Sequence, residues 1–141
     1  MSFLIDTNVV SEPTRARPDA RVMTWFAAQP DDMLFISALT LGELRRGILQ
    51  LAEGKKRREL LRWLENEIEP GFSGRILGVD AEVARHWAEI QDRASRAGKS
   101  LPAMDSLFAA TARAHDLTLV TRNTADFAAA GIPLIDPWQE P

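Results

Sequence analysis

Short apolar runs alternating with helical stripes set the pattern of this chain. Phe3-Leu4-Ile5 is apolar without alternation and stops at Asp6, which predicts a strand buried on both faces. Met33-Leu34-Phe35-Ile36, ending at Ser37, and Leu117-Thr118-Leu119-Val120, ending at Thr121, have the same form. Arg75 to Val79 and Gly131 to Ile135 supply two shorter strand candidates. A short helix is expected from Thr7 to Glu12, stopped by Pro13. Pro18-Asp19 opens a helical stripe through Val22, Trp25 and Phe26 that ends near Pro30. Leu44, Ile48 and Leu51 mark what reads as the longest helical region, with Gly54 as its stop or bend and Leu60, Leu61 and Leu64 carrying a second helix as far as Pro70. Asp80 caps a helix whose inner stripe is Val83, Trp87, Ile90 and Ala94, ending at Gly98. Pro102 opens another, through Leu107, Phe108, Thr111 and Ala114. Strands that alternate with helices and lack polar alternation imply an α/β fold. Its short, mostly parallel central sheet should be flanked by helices on both faces.

Length and composition narrow the class. The 141 residues amount to one domain, with a core expected over about 3–136 and an irregular tail at 137–141 that Trp138 pins to the body. There is no linker, repeat or low-complexity segment. No cysteine is present, which excludes disulfides, thiolate metal sites and a cysteine nucleophile. No apolar run approaches the ~20 residues of a membrane helix, and no secretory signal is visible, so a cytoplasmic protein is expected. The net charge of −3 gives no general attraction to nucleic acid, but basic residues cluster locally at Arg45-Arg46 and Lys55-Lys56-Arg57-Arg58. Such a run also suits a solvated helix face.

In open α/β folds function gathers beyond the carboxyl ends of the strands. Asp6 follows the first strand, Glu43 lies a turn into the helix after the second, Asp105 starts the helix before the third, and Asn123 and Asp126 follow that strand. Oxygen donors without histidine or cysteine suit Mg²⁺, with Mn²⁺ also compatible. Each residue also has a structural role open to it. Asp6 and Asp105 could favour helix N-termini, Thr40-Leu41-Gly42-Glu43 could form a capping box, and Asn123 and Asp126 could form turns. His86 and His115 have no partner by motif and read as structural.

Four segments carry a resemblance. LIDTNVVSEP at 4–13, ISALTLGELRRGI at 36–48, PAMDSLFAATARAHDLTLVTRNTADF at 102–127 and PW at 137–138 together resemble the PIN-domain family, and most of all toxin ribonucleases of the VapC type in the FitB-like branch. The likeness runs from Phe3 to Trp138 and is specific in combination. It implies a divalent-metal-dependent ribonuclease, a homodimer, and a cognate antitoxin that blocks the site and carries a DNA-binding module. Carried over by motif, the catalytic and metal-binding acids are Asp6, Glu43 and Asp105. The family's fourth acidic place holds Asn123, with Asp126 close by as a substitute.

The mechanism expected on that basis is attack by a water activated on the ion. Thr7, Ser37 and Thr121 are the candidates to orient the carboxylates. Arg45, Arg46, Lys55, Lys56, Arg57 and Arg58 are the candidates to meet RNA phosphates or a protein partner. The chief alternative is a PIN-like scaffold without catalysis, acting only through a partner complex, because Asn123 departs from the acidic pattern. A phosphoacceptor receiver would need an acidic neighbour to Asp6, and a nucleotide-binding enzyme would need a glycine-rich phosphate loop. The chain has neither.

Overall fold

A computed structural model of the chain describes residues 1–139. Five strands, β1 (Phe3–Ile5), β2 (Leu34–Ser37), β3 (Ile76–Leu77), β4 (Thr118–Val120) and β5 (Leu134–Ile135), form one sheet in the order β3-β2-β1-β4-β5. Every pairing is parallel, with Phe3 opposite Leu34 on one side and Thr118 on the other. Parallel strands require crossovers, and helices supply them. The helices are α1 (Thr7–Ser11), α2 (Ala20–Ala28), α3 (Ala38–Leu49), α4 (Lys55–Trp63), α5 (Glu69–Gly71), α6 (Ala81–Arg96), α7 (Ala103–Ala114) and α8 (Thr124–Phe127).

The strand residues divide by face, as a period of two dictates. Ile5, Ile36 and Val120 point into one core with Val22, Trp25, Leu44 and Ile48 of α2 and α3. Leu4 and Leu119 point into the other, with Val83 and Ile90 of α6 and Phe108 of α7. Ala109, Ala110 and Ala112 of α7 are also fully buried; side chains this small let the helix lie close to its neighbours. Trp138 is buried in the first core and lies under the Arg122 guanidinium, 4.9 Å from its ring centroid. The last two residues of the expected 137–141 tail lie outside the described residues.

The helix boundaries depart from the sequence pattern in three places. Ser37, not Thr40, caps α3: its hydroxyl accepts from Leu39 N at 3.0 Å. The helix therefore begins as soon as β2 ends, and Thr40 is buried inside it. The second departure is at Pro70. Glu69 N–H reaches back to Leu64 O, giving a wide π turn over Leu64–Ile68, and the chain continues helically through Pro70 instead of stopping before it. A turn with an extra residue accommodates a proline that has no N–H for the ladder. The third is length: the longest helix is α6, with 16 residues, against 12 in α3. Asp80 caps α6 as its sequence suggests, accepting from Val83 N at 2.9 Å.

Candidate active site

The strand order fixes where a site can form. From β1 the chain builds outward to β2 and β3 on one side and to β4 and β5 on the other. The crevice outside the carboxyl ends of β1 and β4 is therefore the switch point of the sheet. Asp6 and Thr121 follow those two strand ends directly.

Asp6 is 8% exposed and is held from both sides. Its backbone N–H donates to Val120 O at 2.9 Å. Its Oδ1 accepts from Thr7 N at 2.7 Å, which caps α1, and its Oδ2 accepts from the Thr121 hydroxyl at 2.7 Å. Burial pushes the Asp6 carboxyl above the ordinary carboxylate range; the bonds from Thr121 and Thr7 oppose this without cancelling it, and the charges of Glu43 and Asp105 add to the rise. A cap alone does not account for this residue. An aspartate kept only to cap a helix would sit in solvent, where its charge is free.

Glu43 reaches the same rim from α3. Its Oε1 accepts from the Thr7 hydroxyl at 2.6 Å, and Thr40 Oγ1 lies 3.2 Å from that hydroxyl. Asp105 is half-buried in the first turn of α7. Among the described residues it makes no hydrogen bond or ion pair, and it caps nothing, since Pro102 occupies the cap position. Its carboxyl is also raised, first by burial, then by the charges of Asp126 and Glu43. Asp126, on α8, lines a 510 Å³ cleft together with Asp105, Lys99 and Ser100. Asp6, Glu43 and Asp105 thus feel one another's charge, and Asp105 also feels that of Asp126.

The other candidates fall where their local bonds put them. Asn123 is exposed at the start of α8; its N–H donates to Thr121 Oγ1 at 3.1 Å, and its side chain makes no capping bond. Thr7 and Thr121 bond to the acids, whereas Ser37 is spent on capping α3. In the basic run, Lys55 pairs with Glu59 at 3.7 Å and Arg57 with Glu53 at 3.6 Å. Lys56 and Arg58 are exposed, with no ion pair among the described residues. Arg45 pairs with Glu65 at 3.1 Å. Arg46 is exposed one turn beyond Glu43 and shares with it a 330 Å³ pocket. His115 ends α7, and His86 on α6 has a buried, unpartnered Nδ1. Neither touches the acids. Two further residues enter the site's surroundings: Thr40, which the sequence pattern singled out only as a cap, and Lys99, which it did not single out. Thr40 is one turn before Glu43, and Lys99 directly follows the glycine that ends α6.

The donor set fits a hard divalent cation: four carboxylates, with no nitrogen or sulfur, two of them destabilised as anions by burial and by each other. Among the described residues no three acidic or histidine side chains stand close enough to hold an ion as they lie. The acids share one rim without closing on one point.

A Thr121→Val variant tests the support of Asp6. It removes the hydroxyl that donates to a buried carboxylate and accepts from Asn123 N–H. The expected cost is about 1–3 kcal/mol, read as a fall of several degrees in thermal unfolding at pH 7. The fall should shrink as pH drops through the raised range of Asp6, since the hydroxyl serves the charged carboxylate. An equal fall at every pH would show that the hydroxyl does not serve the charged form.

With this geometry in place, the chain can be assigned to a family. The PIN domain family profile matches residues 3–132, and the chain belongs to that family. It is 43% identical over 138 residues to Toxin FitB of Neisseria gonorrhoeae, covering 98% of this chain and 99% of that protein. It is 40% identical over 137 residues to VapC ribonuclease Y4jK of Sinorhizobium fredii, covering 97% and 98%. Among solved structures it superposes on FitAcB from Neisseria gonorrhoeae with a TM-score of 0.94 at 43% identity, covering 98% and 99%. FitAB bound to an IR36 DNA fragment matches with a TM-score of 0.94 at 40% identity, covering 99% and 97%.

Proposed function

We propose that this chain is the toxin of a toxin–antitoxin pair and acts as a ribonuclease that hydrolyses RNA phosphodiester bonds with the help of Mg²⁺ or Mn²⁺. The observation that carries this reading is Asp6: a buried carboxylate at the switch point of a PIN fold, anchored by Thr121 and charge-coupled to Glu43 and Asp105. FitB is a toxin and Y4jK a VapC ribonuclease by name. The DNA-bound FitAB assembly supports an antitoxin partner with a DNA-binding module. Among the described residues no helix is long and apolar enough to cross a membrane.

In this reading Asp6 and Asp105 hold the cation, with Glu43 beside them. Asp126 takes the fourth acidic place, because it lines the same cleft as Asp105 and its charge pushes the Asp105 carboxyl up, whereas Asn123 carries no charge. A divalent cation bound by these acids would supply a lowered pKa for water and positive charge beside the scissile phosphate. Thr121 fixes one Asp6 oxygen, so that carboxylate needs no reorganisation as the reaction proceeds. Thr7 does the same for Glu43, leaving its second oxygen free to accept a proton from the attacking water. No side-chain nucleophile is needed. Ser106 is buried and bonded to Gln91 and to Ala103 O, and Ser37 is a cap.

The test is cleavage of a mixed set of structured and single-stranded RNAs by purified protein in Mg²⁺, Mn²⁺ or chelator, beside Asp6→Asn. Asparagine can still cap α1, so the variant should fold. Metal-dependent cutting that disappears in the variant is the expected result. Cutting that survives in Asp6→Asn, or in chelator, would overturn the mechanism. No cutting with any RNA or ion would favour the scaffold reading.

A further inference from the structure

The rim of carboxylates has an opening on either side. On the α7–α8 side is the 510 Å³ cleft that contains Asp105, Asp126 and Lys99. On the α3 side is the 330 Å³ pocket formed by Glu43, Arg46, Gly47 and Gln50. Each opening therefore combines acids of the site with one basic side chain. Lys99 and Arg46 are both exposed, and neither makes an ion pair among the described residues. By contrast Arg45, Lys55 and Arg57 are each paired with a glutamate.

Lys99 is not on a loose loop. Gly98 takes a left-handed φ of 70°; its N–H donates to Ser95 O at 3.0 Å, and Lys99 N–H donates to Ala94 O at 2.9 Å. This is the six-to-one closure that ends a helix tightly. Two residues further on, Leu101 is buried, and its carbonyl accepts from Gln91 Nε2 at 2.9 Å. The backbone that carries Lys99 is thus pinned on both sides, while the residue lines the cleft and is exposed, with no ion pair among the described residues. On α3, Arg46 follows Glu43 by three residues, so the two share a helix face. Gly47 adds no side chain between them and the open surface, and an added Cβ there would meet nothing within 4 Å.

We propose that the RNA strand lies across the carboxylate rim from one opening to the other, with a backbone phosphate held by Lys99 on the α7–α8 side and another held by Arg46 on the α3 side. This rests on the ribonuclease reading given above. The physical need is clear. A polyanion approaching four carboxylates on a chain of net charge −3 requires fixed positive charge next to the site, and phosphate contacts set register without reading sequence. Lys99 and Arg46 are positioning residues in this scheme, not catalytic ones.

The test uses the full chain with Lys99→Ala, Lys99→Arg and Arg46→Ala. Cleavage kinetics are measured in Mg²⁺. Equilibrium binding of a fluorescein-labelled random-sequence single-stranded RNA is measured in Ca²⁺ by anisotropy, over a range of salt. Each alanine variant should raise KM about fivefold or more with kcat changed less than about twofold, and should reduce the salt slope of binding by about 0.7, the share of one phosphate on a single strand. Lys99→Arg should restore both. If the wild type cuts RNA and the alanine variants keep its KM and salt slope, the strand takes another path; the proposal fails and the nuclease reading stands. If the wild type cuts nothing yet binds RNA with slopes reduced in the variants, the track stands and the nuclease reading fails. A variant that loses kcat alone, or a wild type that neither cuts nor binds RNA, overturns the proposal.

Discussion

Asp105→Asn is expected to abolish cleavage while leaving the metal-free protein as stable as the wild type, or more so. The two readings of this residue make opposite predictions. An aspartate in the first turn of a helix is ordinarily there for the helix, and its removal then costs up to about 1 kcal/mol. Here the cap position belongs to Pro102, and Asp105 accepts no hydrogen bond among the described residues. Its carboxyl is instead raised, by burial first and by Asp126 and Glu43 next. The sign follows directly. A carboxyl with a raised folded-state pKa binds its proton more tightly in the folded chain than in the unfolded one. Its penalty is absent below the ordinary value of about 3.9, grows as pH climbs through the raised value, and is fully present at neutral pH. An uncharged, near-isosteric amide removes that penalty. In chelator at pH 7 the variant should therefore melt at or above the wild-type temperature, and the gap should close as pH falls toward about 4. Cleavage should drop by more than about a hundredfold, since even the outer partners of a metal ligand cost 10–100-fold when lost. A variant that melts several degrees lower in chelator would return Asp105 to a helix-stabilising role.

The acids that carry this prediction were legible in the sequence because strand ends are. Phe3-Leu4-Ile5 and the run to Val120 can only be buried strands, so the polar residues that follow them, Asp6 and Thr121, must stand on the same rim once the two strands pair. The cap at Asp80 was legible for a similar reason: its side chain acts on backbone three residues away. What escaped the sequence depends on distant partners or on exact helix starts. Thr40 reads as a cap until Ser37, at the end of β2, is seen to cap α3 itself; the helix then begins a turn earlier and Thr40 meets Thr7 from inside it. Asn123 lies three residues beyond the end of β4 and Asp126 six, yet it is the more distant Asp126, on α8, that lines the cleft with Asp105. Pro70 looks like a stop because the π turn before it has no simple sequence signature. Lys99 is one of three exposed lysines until the end of α6 is found beside the carboxylates.

A divalent cation should stabilise this protein, and the effect should depend on Asp6. The folded chain holds Asp6 in a nearly buried position with Glu43 and Asp105 in electrostatic range, so its ionised form costs more there than in the unfolded chain. Unfolding separates these charges and hydrates them, so their repulsion acts against the folded state alone. A cation bound among them offsets that repulsion and binds only the folded chain. At a hundred times its Kd it adds about 2.7 kcal/mol, or roughly 8 °C in melting temperature for a chain of this size. Mg²⁺ or Mn²⁺ titrated into chelated wild type at pH 7 should show this rise. Asp6→Asn, which keeps the cap on α1 but not the charge, should lose most of it. The rise should also shrink as pH falls through the raised values of Asp6 and Asp105, because protons then compete for the same oxygens. Monovalent salt at equal ionic strength is the control: screening alone acts weakly on a charge as buried as that of Asp6. If Asp6→Asn gains as much from the cation as the wild type does, the ion binds elsewhere, and the acidic rim would have to be explained without it.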